Sequence, residues 1–277
     1  MKTILIVAAL AIGVESAFAA DVASVASGPF KSHGLTMHVK SAMAFRGTSI
    51  LDKSDTIIVA ITSAEMDTDA LAAYSDRRRA IDRRVKDDDN GVVYLEFRPN
   101  GAYRGLNYYF AKGNGCGYCG GGVTSTVKLG NGRLAGSLKS SDDNITFDVV
   151  LNVPITSDDH GAALPADGGA PGKVYSGYHD ALTKRDAKAL RPFLSDELRQ
   201  TLAEATKDGK AAKYMNFLAK EHPGKSVHIT KAFSKGNQAV LLIAGESSTT
   251  KLTGEVVLLN QGGSWRVDDE LTDVVMQ

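Results

Sequence analysis

Two unlike apolar patterns share this chain, and the change between them falls at residues 158–172. Before it, short runs of alternating or β-branched residues are separated by turn signals. After it, helical spacing comes first and strand-like runs follow. The change-over itself, SDDHGAALPADGGAPG from Ser157 onward, is rich in Gly, Ala, Asp and Pro and has no period. Such a stretch between two patterned regions reads as a linker. The chain then divides into a β-rich domain at 21–157, a linker at 158–172 and a second domain at 173–277. A length of 277 residues accommodates two domains of ordinary size.

In the first domain Met37, Val39, Ser41, Met43 and Phe45 alternate with His38, Lys40, Ala42 and Ala44. Thr56 to Thr62 is a β-branched run. Val92 to Phe97, Leu106 to Phe110, Val123 to Leu129, Arg133 to Leu138 and Ile145 to Val153 continue the series. Pro99-Asn100-Gly101, Gly130-Asn131-Gly132 and Asp142-Asp143-Asn144 punctuate it, and Asn131-Gly132 suits a tight hairpin because both residues tolerate positive φ. This predicts an antiparallel β-sandwich or partial barrel. One helix interrupts it, capped by Asp67, with Leu71, Tyr74, Ile81 and Val85 on one face and Arg78 in the remaining place.

Beyond the linker, Tyr175, Tyr178 and Leu182 share a helical face. Asp186 caps a short second helix, and Ser195 caps a third that carries Leu198, Leu202 and Ala205. Tyr214, Phe217 and Leu218 mark a fourth, closed by His222-Pro223-Gly224. Strands follow at Val227 to Phe233, Gln238 to Glu246, Lys251 to Leu259 and Ser264 to Asp268. Helices first and then a meander of strands predict an α+β layer pair.

The stretch Tyr178-His179-Asp180-Ala181-Leu182-Thr183-Lys184-Arg185-Asp186, followed by Ala189-Leu190-Arg191-Pro192-Phe193-Leu194-Ser195, resembles the opening of the nuclear transport factor 2-like superfamily. Trp265-Arg266-Val267-Asp268 is similar to that superfamily's closing strand. The resemblance covers residues 173–277 and implies a cone-shaped α+β domain, with a homodimer through its sheet as one partner arrangement. It does not fix a function, because the superfamily holds both enzymes and inert binding domains. In steroid-isomerase-like members a first-helix Tyr donates to a developing oxyanion, and Tyr178 holds the matching place. The carboxylate base of that chemistry has no counterpart by motif, since Ser195-Asp196-Glu197 reads as a capped helix start.

The first twenty residues supply an address. Lys2, the apolar run Ile4 to Val14 and the small-x-small site Ala17-Phe18-Ala19 have the layout of a secretory signal peptide at 1–20. The run is too short to span a bilayer, which takes about 20 residues. A mature chain beginning at Ala20 or Asp21, periplasmic or secreted, is expected. Lys plus Arg equals Asp plus Glu at 32 each, which argues against a nucleic-acid coat.

Four features bear on chemistry. Cys116-Gly117-Tyr118-Cys119 looks like the active tetrapeptide of envelope thiol-disulfide isomerases. That chemistry needs the first Cys at a helix N-terminus, whereas the run after it is strand-like. A Cys116–Cys119 disulfide that orders a glycine-rich loop is the alternative. Arg77, Arg79, Arg83 and Arg84, with Arg78 and Lys86, form a basic cluster suited to an anionic partner, or a solvated face balanced by Asp76, Asp82 and Asp87 to Asp89. Tyr178 is the candidate pocket residue. Asp87-Asp88-Asp89-Asn90-Gly91 fails the register of a calcium loop. No metal or cofactor is expected. The role these features point to is non-enzymatic binding of a small molecule or an envelope protein. An enzyme, either isomerase- or hydrolase-like in the C-terminal cone or redox-active at Cys116 and Cys119, is the alternative.

Overall fold

The computed structural model describes residues 25–85, 91–110, 115–119, 121–142, 145–157, 160–221, 226–246 and 250–276. The readings on residues 1–20, on 86–90 and on 222–224 lie outside them. The described part is a mixed α+β structure of four layers, set by which face of each strand is apolar.

The first layer is one curled sheet. Its path runs from β10 (Lys128–Gly130) through β11 (Arg133–Ser141), β12 (Thr146–Thr156), β4 (Ser41–Thr48), β5 (Asp55–Thr62), β6 (Val92–Phe97) and β7 (Tyr103–Tyr109) to β8 (Gly115–Cys119). β1 (Val25–Ser27) and β2 (Pro29–Ser32) also pair with β12, β3 (Leu35–His38) pairs with β2, and β9 (Val123–Ser125) pairs with β11. Pairing is antiparallel except where Ile155 of β12 lies parallel beside Ala44 of β4. The sheet closes over a core of Phe30, Ile57, Val59, Leu95, Leu106, Leu138 and Val149, among others. That curl makes it a half-barrel. Asn131 and Gly132 have φ of 49° and 69° and turn β10 into β11, as an Asn-Gly hairpin requires.

The strand read across 37–45 divides into β3 and β4 at Val39-Lys40, and the run at 123–129 divides into β9 and β10. The single helix expected before Asp87 is two, α1 (Thr68–Ala72) and α2 (Arg77–Val85). Asp67 caps α1 as expected, accepting from Ala70 N at 2.9 Å. A second start intervenes because Asp76 accepts from Arg79 N at 3.1 Å and from Ala80 N through its carbonyl, and such local acceptors favour helix starts over interiors.

The second sheet has the order β13 (Ala162–Ala163), β14 (Val227–Lys235), β15 (Gln238–Glu246), β16 (Thr250–Gln261), β17 (Ser264–Met276). Its inner face, with Leu241, Ile243, Val256, Leu258 and Val267, packs on α3 (Gly169–Thr183), α4 (Ala187–Leu190), α5 (Asp196–Lys207) and α6 (Ala211–Glu221). Its outer face is also buried. Val240, Val257 and Leu271 join Met43, Phe45, Ile58 and Tyr94 of the first sheet around Leu71, Tyr74, Ala80 and Ile81 of the helical segment. The pair α1–α2 is thus a layer between two sheets. Residues 158–172, read as a linker, contain β13 and the first turn of α3. The outer face of this sheet is covered by α1 and α2 of the same chain.

Candidate functional site

The C-terminal half gathers its chemistry where α3 meets β14 and β17. Tyr175 and Tyr178, three apart, lie on one face of α3. Tyr175 Oη donates to Glu270 Oε1 at 2.8 Å and Tyr178 Oη to Glu270 Oε2 at 3.3 Å. The rings stack at 6.1 Å. Burial, reinforced by the Glu270 charge, holds both phenols well above their ordinary range, so both stay neutral donors.

Glu270 reaches these phenols because β17 is irregular. Val257 pairs with Asp269 and Leu258 with Val267, leaving Asp268 as an extra residue in the strand. A bulge of this kind re-aims the side chains beyond it. Glu270 then faces α3, while Asp269, Leu271 and Asp273 face the α1–α2 layer. The sequence reading ended this strand at Asp268 and so missed Glu270. The signal was present as Leu271, Val274 and Val275 beyond the acidic run.

A groove of about 580 Å³ lies beside this cluster, lined among others by Lys173, Tyr175, Ser176, His179, His228 and Ile229. Gly172 makes its rim close-packed: a Cβ there would stand 1.8 Å from the Asp167 carbonyl oxygen. Tyr178, the expected pocket residue, is 3% exposed and belongs to the packed interior with Leu182, Leu194, Leu202 and Met215. Tyr175 is the aromatic that reaches the groove wall. Tyr175 is itself 2% exposed and packed in the same interior, and it lines the groove together with Ser176, His179 and His228.

The basic cluster is an internal fastening. Arg79 pairs with Asp273 at 2.6 Å and Arg83 with Asp269 at 3.0 Å. Arg83 also donates to the Glu270 carbonyl at 2.9 Å. Arg84 donates to Tyr74 Oη at 2.9 Å and lies 3.7 Å from Asp268. Arg77, 3% exposed, donates to the carbonyls of Ala72 and Ser157. Arg78 instead turns to the first sheet, where it meets the fully buried Glu96 at 2.8 Å over the Tyr94 ring. These arginines meet carboxylates and carbonyls of their own chain, because β17 presents Asp268, Asp269 and Asp273 to α2.

Cys116 and Cys119 lie on β8, an edge strand rather than a loop. Cys119 pairs with Leu106 and Cys116 with Tyr108, so β8 spends three steps where β7 spends two. This is a bulge between the two cysteines. Cys116 is half-buried against the first core, and no cysteine is free among the described residues. No helix follows.

No family model matches this chain, and no curated protein matches it. Among solved structures it is similar to an NTF2-like protein of unknown function from Shewanella baltica OS155. The match has 19% sequence identity and a TM-score of 0.26, and covers 38% of this chain and 91% of the other. No helix among the described residues is long and apolar enough to cross a membrane.

Proposed function

We propose that this chain is an exported, non-enzymatic binding protein that takes a small amphipathic molecule in the groove between α3 and β14. The groove carries the reading: about 580 Å³ of concave surface that combines apolar walls with a few polar groups, the ordinary make-up of a ligand site. Lys173, His179 and His228 favour an acidic head group, and Tyr175 and Ile229 an apolar body. Two further observations support binding over catalysis. The rest of the inner face is filled with buried aliphatic side chains, and both Glu270 oxygens already accept from phenols.

The test uses anilinonaphthalene sulfonate, an aromatic anion of suitable size, with the full chain. Its fluorescence enhancement should be saturable, and should be lost in Ile229→Trp, which fills the groove, with circular dichroism unchanged. Enhancement that is undiminished in Ile229→Trp overturns the assignment. The Tyr175–Glu270–Tyr178 cluster is the one observation that favours an isomerase- or hydrolase-like enzyme instead. A turnover that disappears in Tyr178→Phe and in Glu270→Gln would establish that second reading.

Export belongs to the same proposal and rests on Lys2, Ile4 to Val14 and Ala17-Phe18-Ala19. N-terminal sequencing of the mature protein should begin at Ala20 or Asp21. In an oxidising compartment Cys116 and Cys119 form a disulfide across the β8 bulge, a staple rather than a redox centre, since neither stands at a helix N-terminus.

A further inference from the structure

Glu255 is an acid in an unusual place. It sits at the centre of β16, on the sheet face turned towards the α1–α2 layer, with Leu242 and Leu271 as its lateral neighbours in the sheet. It is 5% exposed. One oxygen, Oε2, accepts from Ser75 N at 2.8 Å and from the Ser75 hydroxyl. The other, Oε1, is buried and has no hydrogen-bond partner. A buried polar atom left unpaired is costly and asks for an explanation.

A cavity of about 330 Å³ supplies one. Glu255 is among its lining residues, and the others come from both halves of the chain: Ser75, Asp76 and Arg79 from the helical layer, and Leu242, Ala244, Leu271 and Asp273 from the sheet, among others. Its charges do not balance. Arg79 is committed to Asp273 at 2.6 Å and to the Thr272 carbonyl at 2.6 Å. Asp76 Oδ1 accepts from the Arg79 amide, and among the described residues no Lys or Arg side chain is paired with the carboxylate of Asp76 or of Glu255, both of which line the cavity. His160, held against the Ala73 carbonyl at 3.2 Å and the Phe233 ring, is the remaining titratable group that acts on Glu255.

We infer that this cavity binds a small organic ammonium ion, with a donor hydrogen on Glu255 Oε1, a second contact from Asp76, and a short alkyl body against Leu242, Ala244 and Leu271. An ammonium offers three donors and no acceptor, which matches a site whose unmet demand is for donors. Because the walls belong to both halves, the ligand fastens them together, and its binding stabilises the assembled chain by linkage. This goes beyond the α3–β14 groove and does not depend on it.

Titration calorimetry of the full chain with n-butylamine and 1,4-diaminobutane tests the inference, with n-butanol and butyrate as controls of equal length. The amines should bind at least about tenfold more tightly than n-butanol, as a charge-assisted bond implies, and butyrate should not compete. Glu255→Gln should weaken amine binding by about tenfold or more. Ala244→Phe, which fills the cavity without touching the carboxylate, should do the same and serves if Glu255→Gln does not fold. His179→Ala, in the other groove, should leave amine affinity unchanged. Amines that bind no better than n-butanol overturn the inference. So does amine binding that survives both Glu255→Gln and Ala244→Phe, or that is lost in His179→Ala.

Discussion

At the scale of residues, the clearest consequence of the packing concerns tyrosine. Of nine tyrosines, five are raised: Tyr214, which is only part-buried, and Tyr74, Tyr94, Tyr175 and Tyr178, raised by burial first and by neighbouring carboxylates second. Their folded pKa lies above the unfolded value of about 10. The stability they contribute is therefore fully present below pH about 10 and is lost as pH rises through the folded value. An alkaline absorbance titration should show these four ionising only together with loss of the native circular dichroism. Nine tyrosines ionising near pH 10 in a protein that remains folded would contradict the buried arrangement. Glu255 behaves in the opposite sense to an ordinary paired acid. Burial raises its carboxyl, so its ionised form opposes folding. Glu255→Gln should raise the melting temperature at pH 7, and the gain should vanish as pH falls below the ordinary glutamate range, where both states are protonated. A gain that persists unchanged at pH 3 would assign it to packing instead.

At the scale of elements, α2 and β17 depend on each other. The α2 sequence RRRAIDRRV is mostly charged, and its arginines find their acids on a strand almost 190 residues away in sequence, as in Arg83–Asp269 with a separation of 186. The pair is part-exposed, at 32% and 15%, so screening keeps its coupling to about 0.5–1 kcal/mol in a double-mutant cycle of Arg83→Ala and Asp269→Ala. Zero coupling would mean that the Arg83–Asp269 pair does not help to hold the layer. Helix α3 offers a steric test. Gly177 lies inside it, where a glycine costs about 1 kcal/mol relative to alanine. A Cβ at Gly177 would stand 2.4 Å from Phe193 Cζ, and displacing that ring costs about 1–3 kcal/mol. Gly177→Ala should therefore lower the melting temperature despite its better propensity. A rise would show that Phe193 moves freely.

At the scale of the whole molecule, the shared layer makes one cooperative unit the expectation. Val240, Val257 and Leu271 are each at most 3% exposed and bury against residues of the other half. Each is worth about 1.5–3 kcal/mol on burial. Trp265, the one tryptophan, reports on the C-terminal half, and far-ultraviolet dichroism reports on both. The two probes should trace a single coincident denaturant transition. A fragment of residues 173–277 should melt lower than the same region in the full chain, because its outer sheet face is then in water. Separate transitions, or a fragment as stable as the parent, would show that the interface contributes little.

Much of this was legible along the chain, because caps, turns and periodicity are local. Asp67, Asp186 and Ser195 cap helices where their side chains sit next to unpaired amides, and Gln238 to Glu246 is a strand at the bounds its pattern gives. The Thr56 to Thr62 run marked a strand without saying why it lacked alternation. Only the assembled layers decide that Ile57 and Ile61 face one core while Ile58 and Ala60 face another. The end of the last strand was hidden for a similar reason. Asp268, Asp269, Glu270 and Asp273 look like a solvated turn until α2 and α3 bring arginines and phenols to meet them. Local sequence determined which segments are helix or strand. The tertiary structure alone decided what the charged residues do, because a buried charge is set by partners that lie far along the chain.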